Sequence, residues 1–463
     1  MKRVAMVSLN VKNYYAPAVY LLRDYALQDE DIRSRCRFTI IDPGIIFARQ
    51  RRSYRITAPE LLQDLVRILR RRRLREVMNW TKKQLKYSGR VIDVVMEALW
   101  WLAFVRVAVT RPHIVSFSCY IWNVTQTLRM ARWLKRLFPG IVVVLGGQEV
   151  TNTGTEFIRD HPAVDFVVDG EGEETYRALL RLLLSRERRD VKNVPGLIGR
   201  SDDRAEKRML LDNLESIPSL FSIFRDDPRR LRKLGRSRLG YMVETARGCP
   251  FKCAFCFESD KFRTVRLFPI ERVADEIIGM SFLGIRKFHI LDPVLCNSDH
   301  ERLRKLAGII RQANGAGNTE FSVEVYAELL QEDMLDSLDV FYSFDVGLQS
   351  CNPAVLRRIS RYFNEEKFLH GLALLRERGK YYAVYLIYGL PGETLFSFMK
   401  TLRFVIWLQP PQLYINHLCV LRGTPLRNAA EQERIVFDPW PPYLVRSTGA
   451  MTAGDVVKCT ILC

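Results

Sequence analysis

Three cysteines, Cys249, Cys253 and Cys256, stand in the spacing C-x3-C-x2-C within Glu244-Thr245-Ala246-Arg247-Gly248-Cys249-Pro250-Phe251-Lys252-Cys253-Ala254-Phe255-Cys256. Thiolates are soft ligands, and three this close can hold three corners of a cubane iron–sulfur cluster, in which each iron takes one protein sulfur. The fourth iron is then open, and an open coordination position marks a metal centre that works on something rather than one that only braces a fold. A closed zinc site is the competing reading. It needs four ligands, and the next cysteine, Cys296, lies forty positions on, with no histidine nearer than His289. Gly248 and Pro250 suit a tight loop around a cluster, and Phe255 suits a shield against water.

This spacing, with an aromatic residue before the last cysteine and a strand before the first, resembles the radical S-adenosylmethionine (radical SAM) superfamily. The resemblance implies that the open iron chelates the amino and carboxylate groups of SAM. One electron from the cluster then cleaves SAM to methionine and a 5′-deoxyadenosyl radical.

The elements that must position such a site come from a chain of 463 residues, enough for several domains. With 48% hydrophobic and 27% charged residues it reads as an ordinary globular protein. Of its ten cysteines three are clustered and seven scattered, which argues for a reducing, cytoplasmic setting rather than a disulfide framework. Met1 to Asn10 lacks the apolar core of a signal peptide and reads as a first strand. The most apolar stretch, Val91 to Val109, carries Asp93, Glu97 and Arg106, so no transmembrane segment is expected. It reads as a docked helix with Asp93 and Glu97 on its wet face. The net charge of +19 is large, and basic residues are dense between Arg49 and Lys86. That insertion is either a solvated helical surface or a place for an acidic partner.

In the first half, Arg3–Leu9, Phe38–Ile41, Ile114–Ser118, Ile141–Leu145 and Phe166–Val168 read as strands alternating with helices such as Ala16–Leu27 and Val124–Leu137. That order predicts a doubly wound parallel sheet, Rossmann-like, with a ligand over the strand carboxyl ends. The loops there hold Ser118, Cys119, Tyr120 and Trp122, then Gly146 and Gly147, then Gly170, Glu171 and Gly172. Asn123 and Gln126 form a candidate capping pair for the helix that follows. As a set, these loops resemble the cobalamin-binding domain that precedes many radical SAM barrels, and the resemblance implies that these nine residues surround the corrin. The motif Asp-x-His-x-x-Gly, which ligates cobalt in many cobalamin proteins, is absent; Asn10-Val11-Lys12-Asn13 follows the first strand instead.

In the second half, Met242–Thr245, Lys287–Leu291, Phe321–Tyr326, Val340–Leu348, Tyr382–Tyr388 and Gln412–Leu418 read as strands with helices between them. Six such units make a partial (β/α)6 TIM-type barrel, the expected radical SAM barrel, whose working face is the strand carboxyl ends. The resemblance implies SAM contacts from Phe255, Asp292, Asn297, Glu324, Gln349, Ser350, Gly389 and Pro391, with Glu324 an inward carboxylate. The expected organisation is an α/β domain over 1–190 with the basic insertion at 49–110, a linker over 191–238, the barrel over 239–430 and a short tail over 431–463. So short a tail leaves the substrate site either open or closed by little.

The function this implies is a radical SAM enzyme with a 4Fe–4S cluster, SAM and cobalamin, methylating an unactivated carbon of a small molecule or peptide. An external one-electron reductant such as flavodoxin or ferredoxin is the expected partner. A radical cyclase or rearrangement enzyme without methyl transfer, and a non-catalytic cobalamin-sensing module, are the alternatives. Methylthiolation of tRNA would need a second cysteine trio upstream, and only Cys36 and Cys119 precede the cluster motif.

Overall fold

Runs of β-branched residues bounded by glycine, proline and aspartate alternate with amphipathic runs through most of the chain, and each becomes a strand or a helix. A computed structural model describes residues 1–9, 17–42, 90–153, 155–185, 194–200, 210–211, 213–225, 240–259, 264–292, 295, 300–315 and 319–462. The basic run before residue 90, the loop after the first strand and Asn297 lie outside these residues.

The first sheet contains β1 (Lys2–Ser8), β2 (Cys36–Ile41), β3 (Ile114–Ser118), β4 (Val142–Gly146), β5 (Phe166–Val168) and β6 (Leu197–Gly199). They lie in the order β2-β1-β3-β4-β5-β6. All pairs are parallel except β5–β6, which is antiparallel. The order reverses direction between β1 and β3, the place where an open α/β sheet splays to admit a ligand. Strand β6 falls within the stretch expected as linker. That stretch also sends Leu214, Ile217, Leu220 and Phe224 into the main core, where the Phe224 ring meets Tyr20 edge-on at 5.1 Å. Helix Leu220–Arg225 of the connector is therefore packed between helix Pro17–Leu27 of the first domain and helix Ile270–Phe282 of the second.

Helix Val124–Leu137 shows how local sequence sets a face: Val124, Thr127, Met130, Ala131 and Leu134 are its buried residues, spaced three or four apart as a helical stripe requires. Asn123 does not cap it. Its amide instead accepts the Tyr120 N–H at 2.8 Å and donates to the carbonyls of Ser118 at 2.9 Å and Leu9 at 3.2 Å, tying the loop after β3 to the end of β1. The apolar helix Arg90–Ala108 packs beside it. Glu97 is half-buried, accepting from Trp101 Nε1 at 2.9 Å and pairing with Arg129, while the Asp93 side chain lies outside what the structure describes. No helix among the described residues is long and apolar enough to cross a membrane.

The second sheet is opened by β7 (Tyr241–Glu244), followed by a small hairpin of β8 (Ala246–Arg247) and β9 (Arg266–Leu267). Then come β10 (Lys287–Leu291), β11 (Glu320–Val325), β12 (Ser343–Gln349), β13 (Tyr381–Tyr388) and β14 (Gln412–His417). The order β14-β13-β12-β11-β10-β7 is parallel throughout. Six consecutive parallel strands with helices outside form three quarters of a TIM-type barrel. Helix Leu395–Leu408 follows β13 and starts in a capping box between Thr394 and Ser397, which satisfies donors that a helix start leaves unpaired. The last segment returns to the N-terminal domain. Tyr443 donates to Glu149, Arg422 Nε donates to Tyr443 Oη at 3.0 Å, and Asn152 Nδ2 donates to Gly423 O at 3.3 Å.

Candidate active site between the two sheets

Strand carboxyl ends from both sheets meet at one seam, which holds two adjoining cavities. The larger, about 820 Å³, is lined from the first domain by Ser118, Tyr120, Trp122, Gly146, Gly147 and the loop Gly170–Glu173. From the barrel it is lined by Met242, Glu244, Arg247, Glu258, Asp292 and Glu324. The smaller, about 330 Å³, is walled by Cys249, Cys253, Cys256, Phe251, Phe255, Tyr326 and Arg361 at one end and by Asp345, Tyr385 and Asn416 deeper in the barrel. Glu258 and Glu324 line both.

The cysteine loop leaves β8 through Gly248, which takes a φ of 93°. Burial pushes the Cys249 thiol up to about 11 and the Cys256 thiol up to about 12. Such thiols stay protonated at neutral pH unless a metal holds the thiolate, which a soft-metal cluster does. No group of three or more His, Cys, Asp or Glu among the described residues is arranged to hold a single metal ion. A cubane instead takes its thiolates at separate corners. Donor type, the loop glycine and the adjoining cavity fit such a cluster.

Sequence reasoning missed two polar side chains that reach Cys253. Tyr326 Oη lies 3.4 Å from its sulfur, and Arg361 Nη1 lies 3.9 Å away. The Arg361 guanidinium sits 3.9 Å over the Tyr326 ring, and that ring stacks on Phe251 at 4.0 Å. Arg361 also donates to Gly347 O. Arg357, Arg358 and Arg361 are alike in sequence; only the end of helix Pro353–Arg358 decides that Arg361 turns inward, where it is 7% exposed.

Of the residues assigned to SAM, Phe255 and Gln349 reach the cysteine cavity and Asp292 the larger one. Asp292 is buried and accepts from Thr245 Oγ1 at 2.9 Å. Glu324 points inward but is not buried: its side chain is 63% exposed, standing in the open lumen 3.9 Å from His289 Nε2. Ser350, Gly389 and Pro391 line neither cavity. Ser350 donates to the buried Glu393 at 3.0 Å, and the Gly389 turn packs against Val445 and Leu418.

Of the nine residues assigned to cobalamin, eight line the larger cavity. Cys119 does not. Side chains alternate at the end of a strand, so Ser118 and Tyr120 face the cavity while Cys119 turns into the core with Val124 and Met130. Glu171 lines the cavity, but both its carboxylate oxygens are engaged by Arg266, at 2.8 Å each. The volume suits a large ligand. The glycine cradle is real, because a Cβ on Gly147, whose φ is 110°, would lie 2.6 Å from Cys119 O. Tyr120 and Trp122 stack at 4.6 Å beside it. No histidine is among the lining residues. These features fit a corrin, which the strand-end residues would hold.

A Rossmann-like sheet facing a six-stranded parallel barrel that carries a C-x3-C-x2-C loop defines a two-domain radical SAM architecture. Residues 243–405 match the Radical SAM superfamily and residues 83–180 match the B12 binding domain, and the chain is a cobalamin-domain-containing member of the radical SAM superfamily. It is 29% identical over 347 residues to the cobalamin-dependent radical SAM methyltransferase TokK of Streptomyces tokunonensis, covering 70% of this chain and 50% of TokK. It is 34% identical over 220 residues to the 2-(S-pantetheinyl)-carbapenam-3-carboxylate methyltransferase of Streptantibioticus cattleyicolor, covering 45% of this chain and 31% of that protein. The chain thus spans half or less of the length of these two curated relatives. Its fold is shared with the solved structure of the radical SAM methyltransferase TsrM from Kitasatospora setae with cobalamin and a 4Fe–4S cluster bound. There the TM-score is 0.65 at 19% identity, over 95% of this chain and 76% of TsrM. It is shared too with OxsB, a cobalamin-dependent SAM radical enzyme, at a TM-score of 0.67 and 14% identity, over 100% of this chain and 66% of OxsB.

Proposed function

We propose that the chain is a cobalamin-dependent radical SAM methyltransferase acting on an unactivated carbon. The observation that carries this is the pair of adjoining cavities, one walled by the cysteine trio and the other by the glycine-rich strand ends, sharing Glu258 and Glu324. When bound, the 4Fe–4S cluster with SAM supplies homolytic radical chemistry, and cobalamin supplies a transferable methyl group.

The chain's own part is to hold these groups in line and keep water out. Cys249, Cys253 and Cys256 would hold three irons, with Arg361 and Tyr326 as polar neighbours of the cluster. Asp292, Glu324 and Gln349 would orient SAM. Ser118, Tyr120, Trp122, Gly146, Gly147, Gly170 and Gly172 would form the corrin bed. Deeper in the barrel, Tyr385 Oη donates to Asp345 at 3.2 Å and stacks on Tyr414 at 4.9 Å. Burial and then the Glu324 charge push the Asp345 carboxyl up, against the pull of His289 and Tyr385. This polar floor would orient the substrate carbon. A small molecule or peptide suits the lumen, and an external one-electron reductant in a reducing, cytoplasmic compartment suits the cluster.

Anaerobic reconstitution with iron, sulfide and hydroxocobalamin tests the reading. The expected result is a brown, cobalamin-loaded protein that releases both 5′-deoxyadenosine and S-adenosylhomocysteine in the presence of substrate. Release of 5′-deoxyadenosine alone would assign a radical reaction without methyl transfer. No SAM cleavage at all would overturn the proposal.

A further inference from the structure

The loop after β5 and the cysteine loop are held together by two guanidinium groups that share a carboxylate. Glu171 receives the Arg266 fork at 2.8 Å on each oxygen, and the Leu211 N–H at 3.0 Å. Arg247 lies 3.5 Å from the same carboxylate and reaches on to Glu173 at 2.9 Å and Glu244 at 3.2 Å. The side chains of Arg247, Arg266, Glu171 and Glu173 are 14%, 8%, 7% and 5% exposed. Arg247 and Arg266 are register partners across the β8–β9 hairpin. Like charges placed opposite each other repel, so this hairpin is at ease only with carboxylates between its arginines. Those carboxylates come mainly from the other domain. Burial alone would raise the Glu171 carboxyl, but the Arg266 bonds, the Arg247 charge and the Leu211 N–H bring it below the usual range.

We infer that Arg266 and Arg247 are positioning residues: a latch that, through Glu171 and Glu173, fixes the glycine-rich strand ends against the cysteine loop. This sets the spacing of the two cofactor beds and rests on the cofactor assignment above. Arg247 lies two positions before Cys249 and Glu171 between Gly170 and Gly172; the Arg266 side chain itself bonds only Glu171 and the Leu211 carbonyl, so its loss acts first on the cobalamin wall.

Two measurements on the full chain test it. Without cofactors, Arg266→Gln is expected to speed amide hydrogen exchange at 170–174 and 246–248 about tenfold, because a buried carboxylate left unpaired opens its loop. After reconstitution, the same variant is expected to bind hydroxocobalamin about tenfold more weakly while iron content and SAM affinity stay at wild-type values, and Arg266→Lys, which keeps the charge but not the fork, to recover only part of the loss. Wild-type exchange rates in Arg266→Gln overturn the latch. So does loss of iron in step with loss of cobalamin, or a lysine variant as impaired as the glutamine one. A wild-type chain that binds no hydroxocobalamin overturns the cobalamin assignment instead, and the exchange measurement then decides the latch by itself.

Discussion

Arg361 Nη1 stands 3.9 Å from Cys253 Sγ, inside a layer in which its guanidinium covers Tyr326 and Tyr326 covers Phe251. A fixed positive charge this close to an anionic cluster favours the state that has gained an electron. Arg361→Gln is expected to keep a full complement of iron and lower the cluster's reduction potential by about 60 mV, the one-electron equivalent of a tenfold change in equilibrium. Arg361→Lys should lower it less. Potentiometric titration followed by electron paramagnetic resonance checks this, and an unchanged potential in the glutamine variant refutes it.

Gly147 holds a backbone conformation that a side chain resists, with Cys119 O only 2.6 Å from where a Cβ would be. Gly147→Ala is expected to cost about 1–3 kcal/mol and to weaken hydroxocobalamin binding. Gly140, with nothing within 4 Å of its Cβ position, is the control. There the same change should stay within about 0.5 kcal/mol. Thermal unfolding of the two variants side by side measures the difference.

Burial pushes the Glu393 carboxyl up to about 8, with the Ser350 hydroxyl only partly offsetting it. A carboxyl whose pKa is higher folded than unfolded stabilises the fold fully below its unfolded value, and that contribution is lost as pH rises through the folded one. Melting temperature should therefore fall between about pH 5 and pH 8 more steeply in the wild type than in Glu393→Gln, which carries no proton to lose. Parallel slopes would contradict this.

Tyr443 gives its hydroxyl to Glu149 across the seam, and Arg422 stands 3.5 Å from the same carboxylate. Tyr443→Phe removes one partner from a buried acid and is expected to cost about 1–3 kcal/mol. The loss should appear as earlier opening of the seam under mild denaturant, read by hydrogen exchange at Glu149–Asn152, before the β12–β13 core responds. Simultaneous opening of both would count against a seam-specific role.

The alternation of apolar runs was enough to read nearly every strand of both sheets, because a buried parallel strand needs β-branched residues at both faces. Strand β6 escaped because three residues between Gly196 and Arg200 show no period at all. The cysteine loop was legible because its chemistry is local, with all three thiols within eight positions. Tyr326 and Arg361 were not, because they reach Cys253 from more than seventy and a hundred positions away. Cys119 and Ser350 show the converse error: a chemically suitable residue at a strand end whose side chain turns to the core.

The partition between the two cavities includes the acidic side chains of Glu258 and Glu324. Side chains swing far faster and at lower cost than strands shift. The aperture at this boundary is therefore adjustable by rotamer, and a relative with a bulkier guest could retune it by exchanging two carboxylates while the scaffold stays untouched.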